Sequence, residues 1–135
     1  MDTSTEQVPM RDGHLGCGDG KHHVDLWWHD TGRGVIIVLT GGESPHIGGV
    51  VVSTPRESLR GGAISCDSCV IPLTAHKDHI VGQQVAEAIC CATNVPVSVS
   101  AGIHVDNATS DDLLEFQRNC AALASELIDQ LVAGP

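Results

Sequence analysis

Residues 95–103 constrain the fold of this chain more tightly than any other stretch. Val95, Val97, Val99, Ala101 and Ile103 alternate with Pro96, Ser98, Ser100 and Gly102. A period of two is a strand with one face on a core, and a slip of one residue would turn every valine outwards. Helix-period segments flank this strand on both sides. Before it, residues 74–94 carry a stripe of Ile80, Val81, Val85, Ala88, Ile89 and Ala92. Thr74 can cap that helix, and Asp78 lies early, where a helix N-terminus favours an acid. After it, residues 109–132 carry Leu113, Phe116, Cys120, Leu123, Leu127 and Leu131. Thr109-Ser110-Asp111-Asp112 opens that helix as a capping box, with Asp in the usual Glu position.

Upstream the pattern is strand throughout. Residues 22–29 alternate around Val24, Leu26 and Trp28, and residues 35–40 are a continuous β-branched run. Residues 47–54 and 63–73 supply a third and a fourth strand. The element order is therefore ββββαβα. It defines an α+β two-layer sandwich, a mixed sheet with its helices on one face. Residues 1–20, polar and punctuated by Gly13, Gly16, Gly18 and Gly20, read as a flexible N-terminal extension, and residues 21–135 as one domain. Aromatic residues are confined to Trp27, Trp28 and Phe116, so the core is Val, Ile, Leu and Ala. Trp27 and Trp28 put one indole on each face of what reads as an edge strand, which leads us to expect a homo-oligomer.

A net charge of -10 argues against nucleic acid and anionic membranes as partners. No stretch reaches the ~18 apolar residues of a spanning helix, and residues 1–20 lack the apolar centre of a secretory signal. We therefore expect a cytoplasmic protein whose six cysteines are reduced thiols or ligands. Cys66 and Cys69 form a single CxxC pair. In a strand they point to opposite faces, which weighs against a shared ion.

Histidines stand where apolar runs stop. His46 follows Thr40-Gly41-Gly42-Glu43-Ser44-Pro45, His76 and His79 open the first helix, and His104 with Asp106 follows residues 95–103. By strand parity His104 and Asp106 continue the polar side. Imidazole and carboxylate together suit a divalent Zn, Mn, Fe or Ni. Gly48 and Gly49 either remove side chains where a ligand or another chain segment comes close, or mark a bulge. Arg56, in a chain short of positive charge, suits a phosphate or carboxylate. The sequence contains no HExxH, GxSxG or GxxxxGK motif. A small metal-dependent hydrolase or decarboxylase using the histidine cluster is the alternative to a binding role, and it lacks a general base beyond the histidines themselves.

Residues 40–50, Thr-Gly-Gly-Glu-Ser-Pro-His-Ile-Gly-Gly-Val, and residues 101–109, Ala-Gly-Ile-His-Val-Asp-Asn-Ala-Thr, resemble the LpdD-like prenylated-flavin chaperones. So do Ser53-Thr54-Pro55-Arg56, Ser58-Leu59 and His76-Lys77-Asp78. These are small accessory proteins of UbiD-type decarboxylases such as gallate decarboxylase. The resemblance spans about residues 22–132 and departs from the family pattern at Ala75 and His79. It implies a non-catalytic chaperone that binds prenylated FMN, or FMN, between the flavin prenyltransferase that makes the cofactor and the decarboxylase that uses it. The implied cofactor-binding residues are His46, Ile47, Gly48, Gly49, Arg56, Lys77 and Asn107. The implied ligands of a metal bridging the flavin phosphate are His46, His76, His104 and Asp106, and Gly48 and Gly49 would leave room for the ring system.

Overall fold

The computed structural model describes residues 10–73 and 78–134. Five strands come first: β1 (Arg11–Cys17), β2 (Val24–Asp30), β3 (Val35–Gly42), β4 (Gly49–Glu57) and β5 (Ile64–Pro72). Helix α1 (Asp78–Thr93), strand β6 (Val97–His104) and helix α2 (Ser110–Ala133) follow. Among the described residues one sheet holds six strands in the order β1-β2-β3-β6-β4-β5. β3 and β6 run parallel, and the other neighbours run antiparallel. The expected α+β architecture with a mixed sheet is therefore observed.

The alternation in β6 sets the layers. Val97, Val99 and Ala101 are buried beside Val35, Ile37 and Leu39 of β3 and Val24 and Leu26 of β2. They pack with Val85 and Ile89 of α1 and with Phe116, Leu123 and Leu127 of α2. Their strand neighbours Trp27, Ile36, Val38 and Val52 are exposed. Both helices thus cover one sheet face and leave the other open. The capping box of α2 forms as expected. Thr109 Oγ1 accepts from the Asp112 N–H at 3.1 Å, and Asp112 Oδ2 accepts from the Thr109 N–H at 2.9 Å. His22 Nε2 meets Asp112 Oδ1 at 2.7 Å. The Thr109 amide first, and His22 next, hold the Asp112 carboxyl well below the usual carboxylate range.

Three sequence expectations change. Residues 11–17, expected within a flexible extension, form β1 in antiparallel register with β2, so β2 is second from the edge. Their apolar signal is weak because Gly13 replaces a core side chain, and the Trp28 indole lies 2.7 Å from where a Cβ would stand. Residues 1–9 lie outside the described residues. β4 continues through Pro55 to Glu57, past the expected end at residue 54. Its pairing with β6 stops at Ser53, while pairing with β5 runs on to Glu57. Beyond Ser53 one side of β4 carries no ladder, and a residue without an N–H is tolerated there. The strand opening expected at Ile47 begins at Gly49, for a reason set by the site.

Candidate functional site at the end of the central strand

Because β6 lies between β3 and β4, residues 43–48 must cross its C-terminal end to link those strands. The crossing is pinned by backbone bonds. The Glu43 N–H donates to the His104 carbonyl at 2.7 Å, and the Gly48 N–H donates to the Ala101 carbonyl at 2.8 Å. Leu73 N–H donates to the Gly48 carbonyl at 3.0 Å. Glycines stand wherever chain crosses chain. A Cβ on Gly102 would overlap the His46 carbonyl, and one on Gly48 would overlap the Asp78 carboxylate. A Cβ on Gly49 would lie 2.8 Å from that of His79. Among the readings of Gly48 and Gly49, close approach by another segment of the chain is observed. The space over them holds this chain's own atoms.

The crossing brings His46 to the start of α1. His46 Nδ1 bonds the Ser44 carbonyl at 2.9 Å, and Nε2 faces Asp78 Oδ2 at 3.2 Å. Asp78 is buried, and its Oδ1 accepts from the Ile103 N–H at 2.9 Å. One carboxylate therefore ties the crossing loop, the first residue of α1 and the end of β6. In sequence Asp78 stands out as an acid at a helix start and as part of His76-Lys77-Asp78, and neither feature points to His46 or Ile103. His104, the last residue of β6, is exposed, and its Nε2 meets Asp106 Oδ1 at 2.8 Å. The His46 and His104 rings lie edge to face with centroids 6.1 Å apart. Beside them, the first turns of α1 and α2 and the end of β6 enclose a cavity of about 220 Å³. Its walls include Ile80, Ile103, Val105, Leu113 and Phe116, and its polar lining is Asp78, His104 and Gln117.

The remaining sequence-derived residues distribute unevenly. Ile47 is exposed on the crossing loop, and Asn107 takes a left-handed φ of 53° in the turn after β6. Asp106 reaches the site through its bond to His104. Arg56 does not join this cluster. It stands seven residues along β4 from Gly49, about 23 Å at strand rise, and its Nε binds Asp67 Oδ1 at 2.9 Å. His76 and Lys77 lie outside the described residues. Among the described residues no group of three or more His, Cys, Asp or Glu side chains gathers as a metal site. His46 and His104 supply two imidazoles near one another, and a full ligand set needs donors beyond them.

Other histidines are engaged elsewhere. His14 and His23 both bond Asp25 Oδ1, at 2.7 and 3.0 Å. Burial raises the Asp25 carboxyl, but bonds from His14 and His23 outweigh it, and the net shift is downward. The Gly18 carbonyl and then Asp25 raise His23. Cys66 is half-buried and Cys69 exposed, on opposite faces as expected. Burial, then contact with Cys91, pushes the Cys66 thiol up to about 12, and burial takes Cys120 to about 12. Neither supplies a thiolate at neutral pH. Among the described residues no helix is long and apolar enough to cross a membrane.

An imidazole pair at a strand end, an apolar cavity beside it and a histidine partnered by a buried carboxylate mark the end of β6 as the candidate site of this small α+β domain. The chain belongs to the LpdD-like prenylated flavin chaperone family, whose domain model matches residues 18–132. No curated protein matches it. A chain in the crystal structure of a chaperone complex for yeast 20S proteasome assembly is similar in fold. It has a TM-score of 0.58 at 14% identity, covering 92% of this chain and 96% of that one. That likeness concerns the fold alone.

Proposed function

We propose that this protein carries prenylated FMN, or FMN, to a UbiD-type decarboxylase from the flavin prenyltransferase that forms it. The observation that carries the reading is the meeting of His46, Asp78 and His104 at the end of β6, beside an apolar cavity, in a chain of this family. A flavin nucleotide has one apolar end and one anionic end, and the cleft has both kinds of lining. In our reading the phosphate binds at the histidine end, with Lys77 as a cation. A divalent ion (Mn, Zn, Fe or Ni) held by His46, His76, His104 and Asp106 would neutralise phosphate charge there. Arg56, at the far end of β4, has no part in this binding mode. The site of action is the cytoplasm, consistent with six free cysteines.

The test is transfer. Cofactor-loaded protein mixed anaerobically with apo-decarboxylase should restore decarboxylation, and His104→Ala should lower the yield of active enzyme at least tenfold. Equal restoration by His104→Ala would contradict the site.

We also propose a homo-oligomer formed through the helix-free sheet face. Trp27, Ile36 and Ile71 there are 52%, 51% and 59% exposed, and Val38 and Val52 lie beside them. An apolar face of this kind marks an interaction surface. Light scattering after gel filtration should give at least twice the 14.1 kDa chain mass, and Trp27→Glu should reduce it to one chain. An unchanged mass in Trp27→Glu would remove this face from the interface.

A further inference from the structure

The space over Gly48 and Gly49 is closed by the Asp78 carboxylate and by His79, so a planar ring needs another seat. Among the described residues, the cavity at the first turns of α1 and α2 is an open volume next to the histidine pair. Its walls are Ile80, Val81, Ile103, Val105, Leu113 and Phe116. Ile80 and Leu113 are 45% and 56% exposed, so apolar side chains at this cavity face water. At about 220 Å³ it is smaller than the roughly 300 Å³ at which pockets for whole drug-sized ligands begin. It can take one end of a nucleotide, and apolar walls select the end without sugar or phosphate. His104 lines the cavity and also stands 6.1 Å from His46, so it joins the apolar volume to the polar pair. A second cavity of about 210 Å³ lies between the helices at Val85, Ala88, Cys120, Ala121, Ala124 and Ile128. It contains no histidine and no carboxylate.

We propose that the cavity between the first turns of α1 and α2 seats the prenylated ring system, with the phosphate end left outside at His46 and His104. The inference rests on the function proposed above and adds where the apolar end goes. Filling the cavity from its exposed positions tests it. Leu113→Trp and Ala108→Leu each enlarge a lining residue, and Ala121→Leu does the same in the second cavity. Each variant is co-expressed anaerobically with a flavin prenyltransferase, its fold is checked by circular dichroism, and bound flavin is measured per chain. The expected result is a tenfold or greater loss of flavin in the first two variants and retention in Ala121→Leu. Full retention in all three would overturn the cavity assignment while leaving cofactor binding intact. A wild-type protein without flavin would overturn the functional reading itself. Hydrogen exchange on the wild-type holoprotein asks the same question without a variant. Flavin-dependent protection of residues 103–117 supports the assignment, and its absence there contradicts it.

Discussion

Alanine in place of Gly102 is expected to destabilise the protein by about 3 kcal/mol, at the upper end of overpacking costs. The new Cβ would overlap the His46 carbonyl, a backbone atom with no rotamer to escape into. Lifting the crossing segment would give up the Glu43–His104 and Gly48–Ala101 bonds that pin it. Each buried bond lost adds about 1 kcal/mol or more. The change adds one methyl group to a residue with no chemistry of its own, so a large effect reports the crossing itself. Urea unfolding measures it. A midpoint equal to wild type would mean that residues 43–48 do not pass over β6 as described.

Asp78→Ala is the second large effect, expected to cost about 3 kcal/mol, the upper end for leaving a buried hydrogen-bonding group without its partner. It leaves the Ile103 N–H without its acceptor and His46 Nε2 without its carboxylate. Asp78→Asn keeps an oxygen for the Ile103 N–H and should recover about half of the loss. Thermal unfolding of the two variants separates the contributions. Equal melting of Asp78→Ala and wild type would show that this carboxylate does not tie α1 to β6. Because Asp78 also positions His46, both variants should weaken flavin binding beyond what their stability explains.

The layers of this fold were legible because residues 95–103 alternate without a break and both flanking segments carry a 3.6-residue stripe. The capping box was legible for the same reason: its residues are neighbours in sequence. β1 was not, because Gly13 carries no side chain where the Trp28 indole fills the core position. The histidines of the site could be named because each ends an apolar run. What joins them could not. Asp78 meets His46 only because β6 inserts between β3 and β4 and forces residues 43–48 over its end, and no local pattern records that strand order. The same order explains Gly48 and Gly49, which sequence alone leaves open between a ligand, a crossing chain and a bulge. It also separates Arg56 from the site, since β4 carries it away from His46 along its length.

The central claim is that this domain holds a prenylated flavin at the histidine end of β6. Anaerobic purification after co-expression with a flavin prenyltransferase tests it most directly, with a visible spectrum and metal content taken on the same sample. The account predicts a flavin band approaching one cofactor per chain, lost in His104→Ala. A colourless wild-type protein, recovered from cells in which the prenyltransferase is active, would contradict it.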